Sequence, residues 1–475
     1  MGKRKDKQFV LENIRVEDFA AEGKCIARHE GAVVFIEGVV APGDLVDVRV
    51  LRKKKNFLEA VVTRVHAFSD QRAEPFCEHF GVCGGCKWQH IPYETQLRQK
   101  QQQVTDHLER IAKVSLPPIS PILPSARTRY YRNKLEFTFS PNRWLTPDEM
   151  HAETDSEKRA LGFHIPRRFD KILDIRRCHL QPDPSNAIRL AVKAFALAND
   201  LPFFDNVHFE GLLRNLVIRT TDAGEVMVIV QFFQADPVAT ENLLVYLREA
   251  FPEITSLHYV VNGKGNDTFH DLEVVLFHGQ PYLTERMEDL QFRIGAKSFY
   301  QTNAAQAYEL YRVVRTYANI QPHETVYDLY TGTGTIANFV ARQAGKVVGL
   351  EYVPAAIEDA KANSALNGIQ NTAFFAGDIR HLLTEDFLRA NGRPDVVITD
   401  PPRAGMEAPV TQMLRRAGPG RIVYVSCNPA TQARDLALLD EAYAVKAVQP
   451  VDMFPHTYHV ENVVLLERRS EAGGF

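Results

Sequence analysis

The sequence predicts an α/β fold in three parts: a small β-barrel, a central α+β domain, and a C-terminal domain built on a doubly wound parallel sheet. Three observations predict this. After Phe299, short apolar runs at 325–330, 346–351, 395–400 and 421–426 alternate with helical segments, the order that builds a parallel sheet from βαβ units. Residues 8–66 instead alternate apolar and polar positions, with turn signals at Glu30-Gly31, Glu37-Gly38 and Pro42-Gly43-Asp44, as in a small antiparallel barrel. At 475 residues the chain also exceeds what one hydrophobic core usually serves. The expected boundaries are 1–67, 68–290 and 291–475.

Composition narrows the partners. A net charge of −3 excludes a uniformly basic chain, so any nucleic-acid surface must be a local patch. The first residues are short, basic and polar, and no run of about 18 apolar residues occurs, so no membrane partner and a cytoplasmic location are expected. Six cysteines are too few for a disulfide scaffold in a chain of this size.

Taken in order, the barrel carries a basic run, Arg52-Lys53-Lys54-Lys55, which is either a solvated loop or a place for an RNA backbone. This segment resembles a TRAM domain, an OB-like RNA-binding barrel attached to several tRNA- and rRNA-modifying enzymes. Next, Cys77-x5-Cys83-x2-Cys86 on a Gly-rich loop offers three thiolates, and Cys178 can be a fourth. Four thiolates suit tetrahedral zinc or a 4Fe-4S cluster, and spacing alone does not choose. His79 and His179 are substitutes in a zinc reading. Cys25 has no partner in sequence and reads as barrel core.

From Tyr93 to about Lys113, Leu97, Val104, Leu108 and Ile111 recur at helical spacing, predicting an amphipathic helix that can pack on the catalytic domain. Residues 127–134 interleave cations and rings, a mixture suited to single-stranded RNA or to an edge strand with snorkelling cations. Residues 87–134 hold nine Lys or Arg against three Asp or Glu, so this stretch is the local basic patch. The stretch 141–159 is polar and reads as a loop or insertion. No internal repeat is visible.

In the last part, the first strand runs into Thr331-Gly332-Thr333-Gly334 and the second ends in Glu351, about 20 residues on, where a carboxylate can bind a ribose. Asp378 and Asp400-Pro401-Pro402-Arg403 fall after the third and fourth strands. This ordered set resembles the Rossmann-like S-adenosylmethionine-dependent methyltransferase pattern more than a nicotinamide site, and no P-loop lysine is present. Amine methylation would favour an aromatic residue after Asp-Pro-Pro, where this chain has Arg403. Cys427, at the carboxyl end of the 421–426 strand, offers other chemistry. Carbon 5 of uracil is a poor nucleophile until a thiolate adds to carbon 6, and the scheme then needs a separate base. Glu461, heading the last strong strand, can supply it.

The motifs Ser298-Phe299-Tyr300-Gln301-Thr302-Asn303, Asp328-Leu329-Tyr330-Thr331-Gly332-Thr333-Gly334, Asp400-Pro401-Pro402-Arg403, Ser426-Cys427-Asn428-Pro429 and His459-Val460-Glu461 closely resemble the RNA uracil-C5 methyltransferase family. The resemblance is to its iron-sulfur-bearing 23S ribosomal RNA branch. It implies that Gln301, Tyr330, Glu351 and Asp400, with Asp378 from the strand-end pattern, bind S-adenosylmethionine, that Cys427 is the nucleophile and that Glu461 is the proton acceptor. It favours 4Fe-4S over zinc for Cys77, Cys83, Cys86 and Cys178. Thr331 departs from relatives that have cysteine there, with an effect expected only on packing near the methionine moiety. The expected activity is 5-methyluridine formation in ribosomal RNA by a monomer, with the target base flipped or in a loop. Alternatives are the same reaction on transfer RNA and a non-catalytic RNA-binding assembly factor. DNA cytosine methylation is disfavoured because Cys427 precedes its proline, although Glu461-Asn462-Val463 matches the base motif of those enzymes.

Overall fold

The computed structural model describes residues 9–145, 149–150 and 157–470. Much of the polar stretch 141–159 therefore lies outside the described residues. The N-terminal part is a six-stranded sheet in the order Phe9–Arg15, Leu45–Lys53, Phe57–Ala67, Ala32–Glu37, Cys25–His29, Asp18–Phe19. Alternate residues Val46, Val48 and Val50 point into a shared core with Cys25, Ala27, Val34 and Ile36, which is the period-2 pattern made physical. Cys25 is buried there and its thiol donates to Val40 O at 3.4 Å. The run Arg52 to Lys55 sits at the exposed tip between two paired strands.

The central part holds a seven-stranded sheet in which every residue of the strand Leu213–Thr220 is buried. Both faces are covered. Helices Ser185–Ala198 and Pro237–Ala250 pack on Leu216, Ile218 and Val228, while Val217, Met227 and Ile229 meet Leu283 of the following hairpin and Ala296 just after it. That hairpin, Tyr282–Met287 with Leu290–Gly295, straddles the expected boundary at 290. Its Arg293 and Gln291 amides donate to Asn363 and Asn367, at the end of helix Pro354–Leu366, so it bridges the central sheet and the last part.

The C-terminal sheet runs Thr372–Ala376, Lys346–Glu351, Thr325–Leu329, Val396–Thr399, Arg421–Ser426, Glu461–Arg468, Tyr443–Val451. Its first five strands are parallel, and Glu461–Arg468 is antiparallel to Arg421–Ser426. The strand order reverses direction between Thr325–Leu329 and Val396–Thr399, so the carboxyl ends of those two strands open the crevice of a doubly wound sheet.

The helix Tyr93–His107 continues as one wider π turn, Leu108–Ala112, and packs on this domain through Val104, Leu108 and Ala112. Its buried face differs from the expected stripe. Gln96, Lys100 and Val104 point inward, whereas Leu97 is half-buried and Ile111 is exposed. The polar pair can turn inward because each finds partners on residues 452–456. Among the described residues no helix is long and apolar enough to cross a membrane.

Candidate active site

The crevice is lined by backbone that only certain residues can form. Past Leu329 the chain turns through Tyr330, Gly332 and Gly334, with φ of 61°, 55° and 74°. At Gly334 a Cβ would meet that of Ala360 at 2.8 Å, so glycine is required by space as well as by φ. Glu351 clasps this turn from the next strand, its Oε2 accepting from Gly332 N at 3.1 Å and its Oε1 from Val353 N at 2.9 Å.

Asp328, buried beneath the turn, accepts from Thr331 Oγ1 at 2.5 Å and Ala337 N at 3.0 Å. Thr331 therefore does more than pack. The other oxygen of Asp328 is buried without a partner. Burial pushes this carboxyl up to about 7 against the Thr331 hydrogen bond, with Asp400 adding to the rise. Burial likewise raises Asp400 to about 7. Burial also drives the Tyr311 hydroxyl well up, with Asp400 and Asp328 adding and a hydrogen bond with Gln301 opposing. Gln301, Asp400 and the glycine turn are thus gathered, while Tyr330 stands nearer Asp378 and Glu407. Asp378 caps the helix Ile379–Leu382, and its carboxylate is gripped by Arg380, which holds it down at about 2.

Cys427 follows the strand Arg421–Ser426, where Asn428 caps the next helix by accepting from Ala430 N. Ser426, the last residue of that strand, pairs with Asn462, so Cys427 and Glu461 each stand next to that pair, and Glu461 acts on the thiol. The half-buried thiol lines a cavity of about 230 Å³ with Arg403, His107, Gln103, Tyr458 and His459. Burial raises it to about 11, with Glu461 and Asp400 adding and Arg403 opposing. Asn428 Nδ2 and Thr431 Oγ1 both donate to Arg403 O, which ties the Asp-Pro-Pro-Arg loop to the cysteine turn. Glu461 is buried, and desolvation followed by Asp400 drives its carboxyl well above the carboxylate range. A buried base of this kind binds a proton strongly once ionised.

Cys77, Cys83, Cys86 and Cys178 line one cavity of about 200 Å³. Burial dominates the raised pKa of each thiol, taking Cys83 to about 12 and Cys86 to about 11, and neighbouring thiols add to the rise at Cys83, Cys86 and Cys178. Among the described residues no three His, Cys, Asp or Glu side chains are gathered closely enough for a single metal ion. Both candidate histidines are engaged elsewhere: His79 Nε2 accepts from Arg176 N at 2.9 Å, and His179 Nδ1 pairs with the Tyr130 hydroxyl at 2.9 Å.

The basic and aromatic tract largely folds inward around this cavity. Arg129 lies over Phe76, Arg132 lines the cavity and lies over Phe454, and Tyr131 is buried. Lys134 opens a strand between two others rather than at an edge. In the sequence Asp328 and His459 stand within motifs but show no task of their own, and Tyr311 gives no sign of a role. Only the shared Asp-x-x-Thr spacing could have pointed to Asp328, since the contacts of Tyr311 come from across the chain.

Residues 276–469 match the family model described as tRNA (Uracil-5-)-methyltransferase, and residues 11–63 match the TRAM domain. Proteins of Porphyromonas gingivalis and Bacteroides thetaiotaomicron, each described as an uncharacterized RNA methyltransferase, are both 57% identical to this chain. Those matches cover 96% and 95% of the chain and 100% of either relative. The crystal structure of Pyrococcus abyssi tRNA (uracil-54, C5)-methyltransferase with S-adenosyl-L-homocysteine matches at a TM-score of 0.73 and 28% identity, over 96% of this chain and 100% of that one.

Proposed function

Because the chain belongs to the RNA (uracil-5-)-methyltransferase family, we propose that it forms 5-methyluridine in 23S ribosomal RNA through a covalent bond between Cys427 and carbon 6 of the target uracil. What supports this is that Cys427 directly follows Ser426, which pairs with Asn462 next to Glu461, and that Glu461 and Asp400 both act on its thiol. S-adenosylmethionine, when bound by Gln301, Tyr330, Glu351, Asp378 and Asp400, supplies the methyl group. The unpartnered oxygen of Asp328 and the raised carboxyl of Asp400 suit a cationic ligand, because a positive charge stabilises both as anions.

The chain's own steps follow. Cys427 loses its proton and its sulfur bonds carbon 6, pushing the ring electrons onto O4 and carbon 5. Arg403 favours the thiolate. Carbon 5 takes the methyl group, Glu461 accepts the carbon 5 proton, and the carbon–sulfur bond breaks with its electron pair returning to Cys427. One proton is released overall.

Cys77, Cys83, Cys86 and Cys178 would hold a 4Fe-4S cluster, which four thiols lining one cavity suit. Nucleoside mass spectrometry of 23S and transfer RNA, from cells with and without the gene, tests the substrate. Loss of 5-methyluridine from 23S RNA is expected. Loss confined to transfer RNA would establish the second reading, which the match to the Pyrococcus transfer RNA enzyme favours.

A further inference from the structure

We propose that Gln96 and Lys100, on the helix Tyr93–His107, are positioning residues for proton removal from carbon 5, because they brace the segment that delivers His459 and Glu461 to Cys427. This rests on the proposed roles of Cys427 and Glu461. Residues 452–460 join the last two strands of the sheet in sequence, yet they are held mainly from outside it. Four successive carbonyls illustrate this. Met453 O accepts from Asn303 Nδ2 at 2.9 Å, Phe454 O from Lys100 Nζ at 3.0 Å, and Pro455 O from the Tyr131 hydroxyl at 3.1 Å. His456 O accepts from both Lys87 N at 2.8 Å and Trp88 N at 3.0 Å, the residues just after Cys86.

The two helix residues close the arrangement. Lys100 Nζ donates to Asp452 Oδ1 at 2.5 Å while Tyr93 donates to Asp452 Oδ2 at 2.7 Å, and Lys100 and Asp452 are both fully buried. The Gln96 carbonyl accepts from His456 N at 2.8 Å, and its amide donates to Trp88 O and Ile91 O and lies 3.2 Å from His456 Nδ1. His456 itself holds φ at 64°, a strained conformation for a side chain of its size.

Apolar residues would normally serve stability better at these two buried positions, because a buried ion pair returns little net energy after desolvation. What the polar pair adds is direction. An amide and an ammonium fix 452–456 in one register, and three residues beyond His456 the chain presents His459 to the Cys427 cavity, with Glu461 two further on. Loosening the brace should therefore leave Cys427 in place and displace the base.

The test is a partition between steps, run on 23S and transfer RNA transcripts with Glu461→Gln as the benchmark. In Gln96→Met and Lys100→Met, methylated enzyme–RNA complex should accumulate on denaturing gels, with release of product slowed roughly 10- to 100-fold while complex formation stays within about threefold. Equal loss of both rates, or loss of neither, would overturn the proposal. If those variants do not fold, as read by thermal unfolding, Tyr131→Phe removes a single donor to Pro455 and decides by the same partition, a smaller accumulation being expected and none being fatal. Failure of the wild-type enzyme to be trapped on 5-fluorouridine transcripts is a separate outcome, which would remove the Cys427 chemistry itself.

Discussion

Cys427 must be a thiolate to attack, and its surroundings oppose that. Burial, Glu461 and Asp400 hold the thiol near 11 in the free protein, with Arg403 working the other way. Below that value the thiolate fraction grows about tenfold per pH unit. Alkylation of Cys427 by iodoacetamide should therefore climb log-linearly from pH 7 to 10, and Arg403→Gln should lower it a few-fold at fixed pH. A flat profile would mean that the thiolate already exists without substrate. Asp400 gives a dependence of the same sign in a lower pH window. Its carboxyl sits near 7, so a cationic methyl donor has to draw the proton off to gain the anion. S-adenosylmethionine should bind more weakly as pH falls below 7, and calorimetry in buffers of different ionisation enthalpy should record proton release on binding. The positions of Cys427 and Glu351 at the carboxyl ends of apolar runs, and of Glu461 at the head of one, were legible in the sequence because each borders a strand. Asp328 and Tyr311 owe their places to burial and to partners elsewhere in the fold, which no local pattern encodes.

At the scale of elements, periodicity read the type of structure well and its phase less well. The helix from Tyr93 was legible, but its inward face is rotated toward Gln96 and Lys100 because Asp452 and His456, more than 350 residues away, satisfy them. The tract 127–134 shows the same limit: its cations and rings suit RNA by composition but are largely occupied by Phe76, Phe454, Pro455 and His179. Exposed cations remain at several places, among them Arg127 and Arg129 of this tract and Arg52 to Lys55 at the tip of the barrel hairpin. Replacing Lys53, Lys54 and Lys55 by Gln should weaken RNA binding and flatten its salt dependence by up to roughly one log-log unit for each phosphate left without its lysine, with unfolding temperature unchanged. An unaltered salt slope would mean that this tip does not touch RNA. The glycine turn is the converse case. Gly334→Ala meets both positive φ and the 2.8 Å approach to Ala360, so it should cost about 1–3 kcal/mol of stability and loosen the methyl-donor site, measured by unfolding and by ligand titration.

Across the whole molecule, the thiol cavity joins segments that are far apart in the chain. Cys77, Cys83 and Cys86 come from the loop after the barrel and Cys178 from the central domain, so a bound cluster would cross-link them and add its binding energy to folding. The cross-link would reach further than the cysteines. Lys87 and Trp88, directly after Cys86, hold His456 O, and Thr457 lines the cavity itself. Anaerobically purified protein should therefore be brown and carry about four irons per chain. Stripping the metal with a chelator under oxidant should lower the unfolding temperature and speed hydrogen exchange at residues 452–460, while amides of the barrel strand Leu45–Lys53 keep their protection, since their bonds lie within a separate sheet. Cys178→Ser should reproduce both changes. If exchange at 452–460 stayed the same while the metal was lost, the cavity would be a cross-link for the central domain alone, with no hold on the segment that carries the base.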